Sequence, residues 1–283
     1  MSDRALVLGG AGMLGKAVVR EGRRRGATTL GLSRTQADLG DRERLLYWAE
    51  SFRPQVIVNC AAFTQVDACE ERRDHALDVN GRAVANAVEA AERVGARLLH
   101  VSSDYVFDGE GSEPYPEDAP TRPLSVYGES KLLGEQEALR YDDATVVRAS
   151  WLFGPGGPNF VATILRLLRE GKTPLRVVDD QVGCPTYTPF LARALWNLAS
   201  SDLRGLVHYR NRDAVSWHGF AQEIAQSSNM AAEVLPVPTS EFPRPAHRPA
   251  YSVLDVDRFE HAVGRRVEPW IAGLAAYLSG DDP

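Results

Sequence analysis

The sequence predicts an α/β fold: a doubly wound parallel sheet with a smaller C-terminal lobe. Three observations predict it. Short apolar runs alternate with stretches of helical periodicity through the first half of the chain. The links between them are short, which favours parallel strands joined by right-handed crossovers. A glycine-rich turn, Gly9-Gly10-Ala11-Gly12-Met13-Leu14-Gly15, closes the first apolar run and opens the first helix.

The elements follow in order. Residues 5–8 read as a buried strand and 14–25 as a helix stopped by Gly26. Residues 28–32 are a second strand, 42–52 a helix followed by Pro54, and 56–59 a third strand. A long helix is predicted over 75–94, ended by Gly95, and a fourth strand over 98–101. After a Pro/Gly-rich loop over 108–125 come a helix over 127–140 and a fifth strand over 145–148. The second half is less regular. Helices are expected over 159–170, 189–199, 216–226 and 270–278, a sixth strand over 175–178 and a strand-like run over 206–209. Residues 235–249 carry five prolines and read as an extended loop. The expected division is a dinucleotide-binding domain over 1–155, joined by parts of 175–215, and a mostly substrate-binding lobe over 156–283.

Composition narrows the function classes. With 32 Lys and Arg against 38 Asp and Glu the net charge is −6, dispersed along the chain, which argues against a nucleic-acid partner. The basic run Arg23-Arg24-Arg25 falls in a helical stretch and reads as a solvated face. Cys60, Cys69 and Cys184 form no CxxC pair, and an odd count suits a reducing cytoplasm better than a disulfide scaffold. The N-terminal residues Met1-Ser2-Asp3-Arg4 show no signal-peptide pattern. No apolar run approaches the ~18 residues of a membrane span. The histidines form no HxxxH or HExxH pattern, so no metal site is expected.

In such a sheet, ligands bind beyond the carboxyl ends of the strands, and the motifs fall there. The glycine turn, Gly9 and Gly12 above all, suits the close approach of a pyrophosphate, with the helix N-terminus supplying unpaired N–H groups. This is the Rossmann-type dinucleotide signature. The second strand ends in Ser33-Arg34, with no Asp or Glu to accept a ribose 2′-hydroxyl. A guanidinium there can pair with a 2′-phosphate, so NADPH is favoured and NADH kept as the alternative. The plainer reading is that Arg34 points to solvent, or stacks on adenine without discriminating between the cofactors.

Tyr127-Gly128-Glu129-Ser130-Lys131 opens a helix, and residues four apart share a helical face. A free phenol titrates near 10, and an adjacent ammonium favours the phenolate and lowers that value. Ser103, at the end of the fourth strand, can donate to a carbonyl oxygen that gains charge. The set reads as Ser103 polarising, Tyr127 moving a proton and Lys131 tuning and positioning. No GxSxG elbow points to a hydrolase. Trp151, after the fifth strand, can lie against a sugar ring or be a core tryptophan. Arg248 can pair with a diphosphate or be a solvated loop residue.

With these residues in place the sequence resembles the extended short-chain dehydrogenases/reductases, and within them the dTDP-4-dehydrorhamnose reductase family. The resemblance rests on residues 56–67 (VIVNCAAFTQVD), 102–109 (SSDYVFDG), 123–132 (PLSVYGESKL), 148–151 (RASW), Asn159-Phe160, 180–186 (DQVGCPT) and Arg248-Pro249. It implies cofactor contacts at Gly12, Met13, Leu14, Asp38, Leu39, Ala62, Phe63, Thr64, Tyr127 and Lys131. It implies substrate contacts at Ser103, Asp104 and Trp151. The family often has threonine where Ser103 stands. The activity implied is NADPH-dependent reduction of the C4 ketone of a dTDP-4-dehydro-6-deoxyhexose, a small nucleotide-sugar substrate. Another nucleotide-sugar 4-ketoreductase or epimerase is the nearest alternative, and a non-catalytic NADP-binding regulatory subunit a more distant one. Some members bind Mg2+ at a dimer contact. The carboxylates for it are not located in this sequence, which leaves Mg2+ and a homodimer open.

Overall fold

The computed structural model describes residues 4–280, so the sequence reading of the first three residues lies outside the described part. In chain order the elements begin β1 (Arg4–Leu8), α1 (Met13–Arg24), β2 (Thr28–Leu32), α2 (Arg42–Phe52) and β3 (Val56–Asn59). Next come α3 (Val66–Glu71), α4 (Arg73–Ala76), a π-helical segment (Leu77–Arg82), α5 (Val84–Val94), β4 (Arg97–Ser103), α6 (Val126–Ala138) and β5 (Ala144–Ala149). The second half holds β6 (Leu152–Phe153), α7 (Phe160–Arg169), β7 (Leu175–Val178), β8 (Val182–Gly183), β9 (Thr186–Tyr187), α8 (Thr188–Ala199) and β10 (Gly205–Tyr209). It ends with β11 (Val215–Ser216), α9 (Trp217–Ser227), β12 (Val234–Val237), α10 (Asp257–Val263) and α11 (Trp270–Ser279).

The central sheet has six parallel strands in the order β10-β5-β4-β3-β1-β2. The inner strands β1, β3, β4 and β5 are buried on both faces, as their continuous apolar runs require, while the edge strands β2 and β10 are partly covered. Alternate residues feed two layers. Ala5 and Val7 of β1 join α1 and α8 in one core. Leu6 and Leu8 join α2, α5 and α6 in the other. The strands are added outward from β1 to β2 on one side and then from β3 onward on the other, and this switch in winding puts a crevice at the carboxyl ends of β1 and β3.

Three features correct the sequence reading. Residues 175–178 are not a strand of the main sheet. As β7 they pair with β12 in a separate two-stranded sheet, and the sixth position goes to β10. The burial of β7 alternates, with Leu175 and Val177 in and Arg176 out, which suits a sheet covered on one face only. The proline-rich stretch holds β12 and a 3-10 turn (Thr239–Glu241) before its loop. The long helix expected over 75–94 is interrupted by the π-helical segment, and α3 precedes it.

The second lobe packs α7, α9 and α11 around an aromatic core of Phe153, Tyr187, Phe190, Phe220 and Trp270. Asn159 and Ser216 cap α7 and α9, each side chain accepting from a backbone N–H three residues on. Among the described residues no helix is long and apolar enough to cross a membrane.

Candidate active site

The glycine turn is built from backbone contact. Gly9 has φ +72°, and a Cβ there would come within 2.7 Å of the Ala61 nitrogen. At Gly10 a Cβ would lie 2.6 Å from Gly31 Cα. Bare backbone therefore lets the turn nest between the ends of β2 and β3. Helix α1 starts at Gly12 with no capping side chain and no acidic residue in its first turn. The N–H groups of Met13, Leu14 and Gly15 thus have no intrahelical acceptor, and they sit at the positive end of the helix dipole. This cradle fits a dinucleotide pyrophosphate. The loop after β6 crosses its entrance, where Lys16 Nζ donates to the Gly156 carbonyl at 2.9 Å.

At the end of β2, Ser33 Oγ donates to Gln36 Oε1 at 2.8 Å. Arg34 is exposed and pairs with Asp38, Nε to Oδ2 at 2.9 Å. The Gly40 N–H bound to Asp38 is the main cause of its carboxyl sitting below the ordinary value, with Arg34 adding to it against burial. Leu39 is 4% exposed and packs in the α2–α5 core.

Ala62 and Phe63 are half-buried and Thr64 exposed at the carboxyl end of β3. The backbone here is clamped by Asn80, which sequence reasoning missed. Asn80 Oδ1 accepts from Phe63 N at 2.7 Å, and Nδ2 donates to Phe63 O and to Ser130 Oγ, both at 3.0 Å. Asn80 is 1% exposed and lies in the π-helical segment, the interruption that turns its amide inward. It ties the β3 end to the helix that carries Tyr127 and Lys131.

Ser125 caps α6, and Gly128 packs so closely on the Tyr105 carbonyl that any side chain would collide. This brings Tyr127 over the end of β4, its ring edge-on to Tyr105 with centroids 5.5 Å apart. Ser103 Oγ donates to Asp104 Oδ1 at 3.0 Å and accepts from Tyr105 N at 3.2 Å. Burial of its oxygen pushes the Tyr127 phenol up, and the hydrogen bond with Ser103 pulls it part-way back. The lowered phenol expected from the sequence is therefore reversed. Lys131 is fully buried one turn on, and its Nζ donates to the Val101 carbonyl at 2.7 Å. Burial brings this ammonium down to about 8, opposed by Glu135. Asp104 is 1% exposed, its Oδ2 has no hydrogen-bond partner, and burial raises it to about 6 against the hydrogen bonds of Ser252 and Ser103.

Trp151 stands at φ +46°, a left-handed conformation uncommon outside glycine, and stacks on Trp217. Trp217, at the start of α9, was not legible as a site residue. Arg248 bonds Asp67 Oδ2 at 3.0 Å and the Ala246 carbonyl at 2.9 Å. It also acts on the Tyr105 phenol, so the proline-rich loop reaches the edge of the site. Among the described residues no group of three or more His, Cys, Asp or Glu could hold a metal ion.

Behind the site lies a buried polar chain. Glu135 accepts from Ser102 Oγ at 2.6 Å and from Arg148 Nε and Nη2 at 2.8 and 2.7 Å. Arg148 then meets His208 at 3.3 Å. Tyr127, Lys131 and Glu135 recur four apart on α6, so the helix face that serves the site also anchors it to β4 and β5.

A doubly wound sheet, a glycine cradle and a Ser-Tyr-Lys set at the strand ends define an oxidoreductase of the extended short-chain dehydrogenase/reductase class. A family model described as the RmlD substrate binding domain matches residues 3–281. The chain is 41% identical over 279 residues to a dTDP-4-dehydrorhamnose reductase of Streptomyces griseus, covering 96% of this chain and 91% of the relative. It is 40% identical over 276 residues to the spore coat polysaccharide biosynthesis protein SpsK of Bacillus subtilis strain 168, covering 97% and 96%. A crystal structure of dTDP-4-dehydrorhamnose reductase from Bacillus anthracis str. Ames, in complex with NADP, is similar with a TM-score of 0.95 at 34% identity, covering 99% of this chain and all of that one. The chain belongs to the RmlD family, that of the dTDP-4-dehydrorhamnose reductases.

Proposed function

We propose that this chain is a cytoplasmic NADPH-dependent reductase that converts dTDP-4-dehydro-6-deoxy-L-mannose to dTDP-L-rhamnose. One observation carries the reading: Ser103, Tyr127 and Lys131 converge at the ends of β4 and α6, beside the glycine cradle of β1. The NADP complex of the Bacillus anthracis relative supports the choice of cofactor. Bound here, the reduced nicotinamide supplies the hydride.

The residues then divide the work. Gly9, Gly12, Met13 and Leu14 hold the pyrophosphate, and Ser33, Arg34, Asp38 and Leu39 form the adenosine end. Ala62, Phe63 and Thr64 line the cofactor's middle. Ser103 donates to the ketone oxygen and Tyr127 protonates it. Burial keeps the phenol protonated at neutral pH, which is the form a reductase needs from its general acid. Lys131, charged below its value of about 8, positions the ribose. Asp104, Trp151 and Arg248 meet the sugar diphosphate.

The test is NADPH oxidation by the purified chain across a panel of nucleotide-linked 4-ketosugars. Turnover confined to, or strongest with, dTDP-4-dehydrorhamnose supports the reading. Tightly held NAD with turnover but no net oxidation would replace it with an epimerase.

A further inference from the structure

We propose that Asp67 positions the substrate-binding group Arg248, an inference that rests on the reductase reading. Asp67 ties the proline-rich strap 242–249 to the start of α3 and holds the Arg248 guanidinium ready for the diphosphate of the sugar nucleotide.

The strap follows from its sequence. Pro243, Pro245 and Pro249 fix their own φ and offer no N–H, so the segment cannot be stitched into a sheet. Its two ends are fastened to residues of the second lobe. Asp180 accepts from the Thr239 N–H at 2.9 Å and from the Thr239 hydroxyl at 2.6 Å. The Ala250 carbonyl accepts from Val182 N at 2.7 Å. Pro249 rests on Gly109, where a Cβ would come 2.6 Å from Pro249 Cα.

Between those ends one carboxylate makes the tie. Asp67 Oδ1 accepts from the Ala246 N–H at 3.2 Å, a donor that the prolines leave scarce. Ala246 is 3% exposed, so its amide requires an acceptor from the protein. Asp67 Oδ2 accepts from Arg248 Nη2 at 3.0 Å, and Arg244 Nη1 stands 3.8 Å away. Burial opposes charge on Asp67, yet the Arg248 bond, the Ala246 N–H and both guanidiniums hold its carboxyl below the ordinary value. Asp67 lies in the first turn of α3, just after the 62–64 stretch, so the strap is anchored next to the residues assigned to the cofactor.

The tie fixes the plane of the guanidinium. Arg248 Nη2 goes to Asp67 and Nη1 to the Ala246 carbonyl at 2.9 Å. A guanidinium carries N–H groups on each of its nitrogens, so donors remain for a diphosphate. An arginine already held in place gives up less rotamer freedom when the anion arrives. The Asp67 charge also repels that anion. Positioning and repulsion act on affinity with opposite signs, so the sign of the effect identifies the role.

The experiment compares the full chain with Asp67→Ala, Asp67→Asn, Arg248→Ala and the D67A/R248A double variant. Steady-state kinetics, NADPH binding, melting and amide exchange over residues 242–250 are recorded for each. D67A should raise KM for the ketosugar about tenfold, with kcat within about twofold and NADPH affinity within about threefold, because a contact present in ground and transition states alike is lost. Exchange at Ala246 should quicken about tenfold or more. D67N keeps an oxygen for the Ala246 N–H, so exchange stays slow there, yet KM still rises because the charged anchor of Arg248 is gone. R248A should raise KM at least as far, and D67A on that background should add less than about twofold. The positioning role is overturned if D67N lowers KM, which would show the carboxylate competing with the diphosphate. It is overturned too if the D67A and R248A effects multiply, or if D67A lowers the melting temperature and leaves KM unchanged. If D67A does not melt cooperatively, KM in D67N decides. An unchanged KM in R248A removes the strap from substrate binding and leaves the reductase reading standing. An unsubstituted chain that oxidises NADPH with no ketosugar removes both.

Discussion

Trp151 lies flat on Trp217, with ring centroids 3.5 Å apart and planes 5° from parallel. The pair bridges the two halves of the molecule. Trp151 follows the fifth strand of the main sheet, and Trp217 opens a helix of the second lobe, backed by Phe160 at 4.6 Å. Gly183 lies so near that a Cβ on it would come 2.5 Å from the Trp151 ring. The stack holds Trp151 in a backbone conformation that costs on the order of 1 kcal/mol or more for a non-glycine residue.

Trp217→Ala should therefore damage substrate handling without touching the cofactor. An aromatic pair is worth about 0.5–1.5 kcal/mol beyond the area it buries, and losing the backing lets Trp151 leave its strained pose. Kcat/KM for the ketosugar should fall roughly tenfold, while the NADPH dissociation constant stays within about twofold. Equal weakening of both ligands would make the stack a general packing element.

Tyr127→Phe removes only a hydroxyl, and the edge contact with Tyr105 survives. Folding and NADPH binding should be preserved. General acid catalysis contributes about 10²–10⁴-fold, so kcat should fall on that scale. A variant with more than half the original kcat would remove Tyr127 from the chemistry.

Arg34 is 76% exposed and its partner Asp38 41%. Such a surface pair is worth about 0–1 kcal/mol, so Arg34 can leave it for a 2′-phosphate at little cost. A charge-assisted bond to that phosphate is worth about 1.5–3 kcal/mol. Arg34→Ala should raise the KM for NADPH roughly tenfold or more and leave NADH nearly unchanged. Parallel effects on the two cofactors would mean that Arg34 does not read the phosphate.

What could be read from the sequence follows the range of the contacts involved. The strand and helix layers were legible because a strand buried on both faces is a continuous apolar run and each helix has its own period. The glycine turn and the Tyr127–Lys131 spacing are local, so their geometry follows from a few residues. Residues 175–178 were misplaced because a short apolar run does not say which sheet it joins. Asn80 sits in what reads as an uninterrupted helix, and only the π-helical segment turns its amide toward Phe63. Glu135 and Arg148 look like unrelated charges until α6 packs on β5. Trp217 acquires its meaning only from the fold of the second lobe.

His208 makes the stability of this scaffold depend on pH. Its ring is fully buried, with Nε2 3.3 Å from Arg148 Nη1 and Nδ1 3.1 Å from the Tyr115 carbonyl. A guanidinium can only donate, so Nε2 accepts and Nδ1 carries the proton. That is the neutral ring. Protonation would place a hydrogen on Nε2 against Arg148, and burial first, then Arg148, lowers the group to about 3. A histidine lowered on folding stabilises the native state fully above the unfolded value of 6.5, and this is lost as pH falls toward 3, because only the unfolded chain takes up the proton. Each such group adds a slope of about 1.4 kcal/mol per pH unit in that window. His100, buried and also held well below 6.5, adds a slope of its own. Urea unfolding at pH 7, 6, 5 and 4 should show the original chain losing stability more steeply than His208→Gln, by up to about 1.4 kcal/mol per unit. The variant is less stable at pH 7, since a flexible amide replaces the packed ring between Arg148 and the Tyr115 carbonyl, but the lines should converge as pH falls. Parallel lines would show that His208 does not titrate on unfolding, or is already charged in the native protein.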